Sequence, residues 1–404
     1  MSGRLMFGTP RGSHRGVALT FVCAGLGAVL ATGVAAGALA VPARSASAPQ
    51  SRIPAGNVAD SDEIAKAIDD GKVGPEAAEE LVSRSGDRWS SFYTAQEYAG
   101  LQQALDGRYV GVGIWVRRTG GGWIQVARVQ AGSPAALARV RVGDRLRSID
   151  GVRADGKPVT DVVAELRGDN VAGSVVRLGL EHEGADAGTG DRNRDITLRR
   201  EVLATEAVTV GTLEGDVTSI KIEAFTKGVG GQVRSAVRDA VRAGSRGVLL
   251  DLRGNSGGLV TEAVTVSSVF LDGGLVATYD VHGRQRALYA KDGGDTVTPL
   301  VAVVDGGTMS AAELLAGALQ DRGRAVVIGS RTFGKGSVQM PSELPDGSVA
   351  ELTVGHYSLP DGRNVDGRGI EPDLTVNGGS APAGASDAAV TEAREVLSGL
   401  RPPS

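Results

Sequence analysis

A serine stands between an apolar strand pattern and a helical run in residues 303–315, which read VVDGGTMSAAELL. Ser310 would begin the helix, where unpaired backbone N–H groups and the positive end of the helix dipole favour a developing negative charge on its oxygen. Glu313, three residues later, allows a second interpretation, in which Ser310 is only the N-cap of a capping box. The segment therefore predicts either a nucleophile or a structural cap.

The base for such a serine is usually a histidine, and the chain has four scattered ones: His14, His182, His282 and His356. Lys335 offers another solution. It lies between two glycines in residues 329–339, GSRTFGKGSVQ, on a turn after an apolar strand pattern. Glycine lets the backbone approach closely and carry the lysine inward, where loss of hydration lowers an amine pKa by up to ~3–5 units.

A serine–lysine pair is a recognised nucleophile and base, and it needs no histidine. The alternative is a solvated or phosphate-binding lysine, although the upstream Gly-x4 spacing of a Walker loop is absent. His182, at the edge of a loop rich in Gly and Asp, is predicted to be a solvated side chain.

Composition excludes several classes of function. The formal charge of −4 leaves no basic field for nucleic acid. Cys23 is the only cysteine and lies in an apolar run, so neither a disulfide nor a thiol catalyst is predicted. No HExxH motif or cluster of His and Asp appears, so we predict no metal and no cofactor.

The N-terminus has the residue pattern of an export signal. Three arginines precede an uncharged stretch of 26 residues, 16–41. A signal-peptide core spans ~7–15 residues and a membrane span ~20, so the length predicts an uncleaved signal-anchor with the body outside the cell. A pattern of Ala46-x-Ala48 leaves open cleavage after Ala48 and secretion. A buried soluble helix is the third interpretation.

After the linker in residues 42–60, the spacing of apolar residues changes twice along the chain. Residues 61–105 have helical spacing, interrupted by a loop, GDRWSSFYT. From Tyr109, short strand patterns dominate, with two helical pieces, SPAALARV (Ser133 as N-cap) and VTDVVAELRG. From Thr205, apolar strands alternate with helices, which predicts a largely parallel sheet covered on both faces.

Three glycine-containing loops lie where strands end and helices begin, the usual place of reactive groups in such folds. Their ranges are 251–258 (DLRGNSGG), 305–313 (DGGTMSAAE) and 329–339. Three segments resemble the carboxyl-terminal processing (tail-specific) proteases. In chain order they are DLRGNSGG, GGTMSAAELLAGALQDRGRAVVIG and RTFGKGSVQ. The resemblance runs from about Gly86 to Val376 and includes GDRWSSFYT and GRGIEPD.

The resemblance implies an α/β core of the ClpP/crotonase-like spiral type, with an inserted β-rich PDZ domain and an N-terminal helical region. It implies a serine endopeptidase in which Ser310 is the nucleophile, Lys335 the general base and Gln339 the residue that orients the lysine. The backbone amides of Gly257, Gly258 and Ala311 would form the oxyanion hole. Asp251, Arg253 and Glu313 are expected to be structural.

The resemblance also assigns residues 108–203 to the PDZ domain, whose carboxylate-binding loop would comprise Gly111, Val112, Gly113 and Ile114. Successive amides there can hold a terminal carboxylate while the peptide adds as a strand. Protein or peptide substrates with free C-termini are therefore expected. The chain departs from the family pattern at Met309, at Ser256 and in the sequence ARVRVGD. These departures bear on substrate preference and on the affinity of the PDZ domain.

The predicted divisions of the chain are the signal-anchor or signal peptide 1–48, a linker and helical region 49–107, the PDZ domain 108–203, the protease core 204–378 and a C-terminal tail 379–404, which is either weakly ordered or a loose helix. Residues 61–105 resemble a region that mediates dimer contacts in relatives, which leaves the oligomeric state open between a monomer and a homodimer. The N-terminal segment is expected in the membrane and the catalytic body outside the cytoplasm.

Three other functions remain open from the sequence. The first is a catalytically silent PDZ scaffold or ligand-binding protein on the same core. The second is an acyl-CoA enzyme of the crotonase type, which leaves the PDZ-like insert and the export segment unexplained. The third is a Ser–His–Asp hydrolase that recruits His282 or His356.

Overall fold

A computed structural model describes residues 20–21, 58–182, 193–281, 284–376 and 387–400. Most of the predicted export segment lies outside these ranges. Its described part, β1 (Thr20–Phe21), is a two-residue strand that pairs with core strands. Among the described residues, no helix is both long enough and apolar enough to cross a bilayer. The signal-anchor therefore stays a prediction.

The helical spacing of residues 61–105 corresponds to three helices. They are α1 (Val58–Asp69), α2 (Pro75–Arg84) and α3 (Ala95–Leu105). Thr94 and Glu97 form a capping box at the start of α3. The intervening segment, predicted as a loop, contains the short strand β2 (Ser91–Tyr93), because its backbone pairs with a core strand.

The strand-rich stretch folds around its own apolar core. In chain order its elements are β3 (Arg108–Gly111), β4 (Ile114–Arg118), β5 (Ile124–Val129), α4 (Pro134–Leu137), β6 (Arg145–Ile149), β7 (Val152–Arg153), α5 (Val159–Arg167), β8 (Val175–Glu181), β9 (Asn193–Arg199) and β10 (Glu201–Ala204). The main antiparallel sheet has the order β4-β5-β6-β8-β9, so β4 lies at an edge. Ser133 caps α4 as predicted, accepting from Ala136 N at 3.2 Å.

The α/β part begins with β11 (Val208–Leu213), β12 (Val217–Ile222), α6 (Val229–Arg242), β13 (Gly247–Asp251), β14 (Gly258–Leu259), α7 (Val260–Phe270), β15 (Leu275–Val281) and β16 (Arg284–Tyr289). It continues with β17 (Leu300–Val304), α8 (Ala311–Asp321), β18 (Val326–Gly329), β19 (Ser337–Glu343), β20 (Val349–Ser358), β21 (Leu374–Thr375) and α9 (Ala388–Gly399).

The predicted parallel sheet exists, with the order β11-β12-β13-β17-β18-β21. All pairs are parallel except that of β11 with β12. Alternate residues of β13 and β17 face two different clusters: one includes residues of α6, α7 and α8, and the other residues of α9. The sheet is therefore covered on both faces, as its continuous apolar strands predict.

Two predictions need correction. The later strand patterns do not all join the parallel sheet, because β15, β16, β19 and β20 form a separate antiparallel sheet together with β1, β2 and β14. The C-terminal stretch is not a loose helix either: α9 buries Ala393 and Leu397 against the parallel sheet. Apolar positions in a short, alanine-rich segment gave too weak a signal for packing.

Candidate active site

Ser310 occupies a strained turn between β17 and α8. Its φ of 58° and ψ of −119° lie in a region that costs a non-glycine residue about 1–3 kcal/mol. The residue is fully buried, and its Oγ has no hydrogen-bond partner within the described residues. A strained strand-to-helix turn that presents a serine oxygen is a known way to position a nucleophile.

Glu313 connects this turn to the lysine loop. Its Oε2 accepts from Ser310 N at 2.9 Å and from Lys335 N at 2.8 Å. Its Oε1 accepts from Gly334 N at 2.7 Å and from the Thr332 hydroxyl at 2.5 Å. Burial raises the pKa of Glu313, although these four hydrogen bonds oppose the shift. The carboxyl therefore holds the backbones of Ser310 and Lys335 to one point, a structural role as expected.

Lys335 is carried inward by its glycine neighbours, as the sequence predicts. The side chain is fully buried. Gly334 has a φ of 91°, and a Cβ there would lie 2.9 Å from Gly369 N; a Cβ on Gly336 would lie 2.7 Å from Asp366 N. Only glycine fits on both sides, because the backbone packs directly against residues 366–369.

An aromatic ring covers the lysine amine. Lys335 Nζ lies 4.6 Å from the centroid of the Trp89 ring, and Phe333 meets the same ring edge-on at 5.9 Å. Trp89 belongs to the segment before α3, more than 240 positions away in the sequence. The sequence analysis missed its role, and the only signal was its place in the family-like motif GDRWSSFYT.

Gln339 is buried on β19, opposite Thr353 of β20. Its Nε2 donates to Ser337 Oγ at 2.8 Å and to Thr353 Oγ1 at 3.2 Å. Its Oε1 accepts no hydrogen bond from any described residue. The amide is thus fixed through its nitrogen, which leaves the oxygen available to accept from an amine.

Glu351, which the sequence analysis did not single out, is buried on the same sheet. Burial raises its pKa to about 7, and the charge of Lys335 opposes the shift. Glu351 Oε2 has no hydrogen-bond partner among the described residues. An alternating strand pattern (AELTV) gave no sign of a special role.

The glycine loop 254–258 lies against Ser310. A Cβ on Gly257 would lie 2.9 Å from Ser310 Cβ, and Met309 N donates to Asn255 O at 2.9 Å. Gly257 N, however, donates to Asn255 Oδ1 at 2.8 Å. Of the predicted oxyanion donors, the Gly257 amide is thus already engaged, whereas Ala311 begins α8, where amides lack intrahelical acceptors.

Asp251 and Arg253 brace this loop, as expected. Arg253 donates to both carboxylate oxygens of Asp251, at 3.0 and 2.7 Å, and to Asp387 at 2.7 Å. Burial alone would raise the pKa of Asp251, but the hydrogen bonds of Arg253 and the charge of Lys221 hold it below its ordinary value. The pair links the loop to the start of α9.

The predicted carboxylate-binding loop precedes the edge strand β4. Val112 O and Gly113 O accept from Ala135 N and Gln130 N, at 3.0 and 2.9 Å. Gly113 has a φ of 80°, and a Cβ there would lie 2.2 Å from Ser133 Cβ. Gly111 pairs with Glu201 in β10, and Ile114 begins β4. The loop is thus tied back through its carbonyls beside a sheet edge that could receive a strand.

The two described histidines, His182 and His356, take other partners. His182 keeps 32% of its side chain exposed, as a solvated residue would, but its Nδ1 also lies 2.6 Å from Oδ1 of the buried Asp144. The Asp lies 38 residues away, so this pairing follows from the fold and was not predicted. His356 Nε2 lies 3.8 Å from Asp366 Oδ2. Since Ser310 Oγ bonds no described residue, His356 is not hydrogen-bonded to it. His282 lies outside the described residues. No three metal-ligating side chains cluster within the described ranges.

A buried serine at a strained turn, an inward lysine and a separate strand-rich unit define a peptidase-like class, and the comparisons agree. Residues 216–376 match the model of peptidase family S41, and residues 125–181 that of the PDZ domain. The chain thus contains a region that matches peptidase family S41 and a region that matches PDZ domains.

Two relatives illustrate the similarity. The carboxy-terminal processing protease CtpA of Bacillus subtilis is 30% identical over 308 residues, which cover 76% of this chain and 64% of the relative. A CtpA-like serine protease of Staphylococcus aureus is 32% identical over 327 residues, 79% of this chain and 61% of the relative. The chain thus spans less than two thirds of the length of either protein.

One solved structure has a similar fold. An S41 protease from Bacteroides fragilis superposes with a TM-score of 0.51 at 18% identity, covering 78% of this chain and 87% of the other. At this identity the similarity concerns the fold alone.

Proposed function

We propose that this protein is a serine endopeptidase that cleaves proteins near their C-termini, with Ser310 as the nucleophile and Lys335 as the general base. The observation that carries the proposal is the Glu313 carboxylate, which accepts from the backbone amides of both residues and so brings a strained serine and a buried lysine to one point. The similarity to carboxy-terminal processing proteases supports the choice of substrate.

The reaction follows from these groups. Neutral Lys335, oriented by Gln339 Oε1, takes the proton of Ser310, and the Oγ attacks the scissile carbonyl. The amides of Gly258 and Ala311 stabilise the oxyanion, each such donor being worth about 10²–10³ in rate. The protonated lysine then protonates the leaving amine, and the acyl-enzyme is hydrolysed by water that Lys335 activates.

The substrate backbone is proposed to enter between β14 and β19. The chain's own β1 lies there: Phe21 is paired with Gly258, and Thr20 with both Leu259 and Gln339, antiparallel to both strands. Since a single strand fits beside the oxyanion donor and Gln339, a substrate in the same position would place its peptide bond at the nucleophile.

Residues 111–114 are proposed to hold the substrate's terminal carboxylate while its last residues add to β4. The body is further proposed to be extracytoplasmic, attached by the N-terminal segment or released after Ala48, and to form a homodimer through residues 61–105. We also infer a core of the ClpP/crotonase-like spiral type, which the alternation of strands and helices in residues 208–329 supports.

The test uses Ser310→Ala and Lys335→Ala on an unstructured reporter protein with a free, apolar C-terminus. Each change is expected to abolish cleavage and to leave the circular dichroism spectrum and the melting temperature near those of the parent protein. Labelling by a fluorophosphonate should require Ser310. Near-normal turnover of Lys335→Ala would contradict the assignment of the base, and unlabelled but folded parent protein would favour a silent PDZ scaffold.

A further inference from the structure

Glu351 shares one face of the antiparallel sheet with the active site. It pairs with Pro341 of β19 and Ser91 of β2, and two residues along β20 lies Thr353, the partner of Gln339. Because strand residues alternate between faces, Glu351, Thr353 and Gln339 point the same way. Ala350 and Leu352 point to the opposite face, where they pack on α1 and α2.

The charged and titratable groups that face Glu351 are few. Lys335 Nζ lies 4.6 Å from the ring centroid of Trp89, two residues before Ser91, the β2 partner of Glu351, and its charge acts on Glu351. From α3, Tyr98 senses its charge and that of the exposed Glu343 on β19. On β2, Tyr93 shares this face by alternation, two residues beyond Ser91. Lys335 is therefore the cation that Glu351 faces among the described residues, and both side chains are almost completely buried.

We propose that Glu351 is a positioning residue that tunes the base: its ionised carboxyl holds Lys335 as the ammonium ion, and its protonated form releases Lys335 as the neutral amine. The proposal rests on the Ser310–Lys335 catalysis proposed above. Two buried groups of opposite charge titrate as a pair, and the net-neutral state is favoured over a wide range of pH.

The sign of the effect follows from the protonation states. Burial sets the pKa of Glu351 at about 7, so the carboxyl becomes negative as the pH rises through neutrality. This new charge makes it harder for Lys335 to lose its proton, since an opposite charge nearby stabilises the charged form. In the parent enzyme, the acidic limb of kcat/KM should thus be displaced to higher pH and spread over a wider range than for a lone amine.

The first test is the pH profile of kcat/KM for Glu351→Gln on the same reporter. We expect the acidic midpoint to fall by about one pH unit and the limb to become steeper, so that the variant exceeds the parent in rate at low pH. Glu343→Gln is the matched control, because it removes an exposed carboxylate from the neighbouring strand and should leave the midpoint unchanged. A folded Glu351→Gln enzyme with the parent's midpoint would overturn the inference.

A second test needs no variant of Glu351 and no activity. Interaction between two titrating groups is reciprocal. Infrared difference spectra of the parent and of Lys335→Met should contain a buried carboxyl stretch that disappears as the pH rises. Without the lysine cation, this band should persist about one pH unit higher. Identical midpoints for every carboxyl band in the two proteins would overturn the inference.

Failure of this inference can be distinguished from failure of the proposed function. Retained cleavage by Ser310→Ala or Lys335→Ala would refute the catalytic dyad itself. If both variants are inactive and neither the Glu351→Gln profile nor the infrared midpoint moves, the dyad stands and only the role of Glu351 is refuted.

Discussion

Glu313 has a larger role than its sequence context suggests. Ser310 and Glu313 have the arrangement of a capping box. Ser310 Oγ nevertheless lacks a hydrogen bond of good geometry to a described residue, whereas the carboxylate accepts from four donors in two loops. Withholding the serine oxygen from the cap keeps it available for chemistry. Glu313 therefore takes the structural role that this motif allows, and Ser310 is left for the catalytic role.

Glu313→Gln should disrupt this arrangement. The amide nitrogen cannot accept, so two buried donors would lose their acceptor, at a cost of roughly 2–4 kcal/mol in the free energy of unfolding. Turnover should fall by at least about tenfold, because misplacing the base by ~1 Å can cost 10²-fold. Urea unfolding and steady-state kinetics measure the two effects.

The control for this change is Glu97→Gln on α3, which alters the other capping box on an exposed helix. It should change stability only slightly and leave turnover unaltered. Equal effects of the two substitutions would show that Glu313 acts only as a helix cap.

The sequence indicates the candidate site residues that lie near one another along the chain. It does not indicate those that only the tertiary structure brings to the site. Ser310, Lys335 and Gln339 lie within 30 positions of one another in recognisable loops. Trp89 is part of an ordinary turn until pairing of β2 with β20 brings its ring over the Lys335 amine. Glu351 is an ordinary strand residue until the fold buries it within reach of the charge of Lys335. The bonding of His182 to Asp144 escaped prediction for the same reason.

At the scale of elements, the glycine loop before β14 determines how closely the backbone approaches Ser310. Gly257 has a φ of 99°, and a Cβ there would meet both Ser310 Cβ and Met309 O. Gly254, in the same loop, also has a positive φ, of 69°, but a Cβ there would meet nothing within 4 Å. An alanine at Gly254 would therefore show the cost of backbone strain alone. An alanine at Gly257 would show that cost together with the steric clash against Ser310.

Gly257→Ala is expected to reduce kcat by at least about 10²-fold, the scale of losing one oxyanion donor, because the loop must move away from Ser310. Gly254→Ala should cost only the strain of a left-handed residue, about 1–2 kcal/mol in the free energy of unfolding, with kcat nearly unchanged. Comparable kcat values for the two variants, measured on the reporter protein, would contradict the position of this loop.

At the scale of the whole molecule, the N-terminal helical region completes the catalytic core. β2 extends the antiparallel sheet beside β20, and Trp89, just before it, covers the Lys335 amine. The sequence predicted the helices, the strand-rich unit and the parallel sheet, because each has a distinct local period. It could not predict the antiparallel sheet, whose strands come from residues as far apart as 20 and 358.

Trp89→Ala should admit water to the amine of Lys335. Hydration stabilises the ammonium ion, so the acidic limb of kcat/KM should move to higher pH, opposite to the effect of Glu351→Gln, and the rate at neutral pH should fall. Trp123→Ala is the control, since that ring also lies next to a cation, Arg145 at 4.7 Å, but in the strand-rich unit away from Lys335. A short peptide substrate reports both profiles, and an unmoved limb in Trp89→Ala would argue against the covering role.

The position of β1 has a further consequence. The space between β14 and β19 is one strand wide, and neighbouring backbones in a sheet are about 4.8 Å apart. Helices and compact domains are too wide for this space. Under the proposed function, only an unfolded, extended C-terminal segment could therefore be cleaved. The enzyme would then select substrates by whether their C-terminal segment is unfolded. A protein with a well-folded C-terminus would not be cleaved, even when its last residues are apolar.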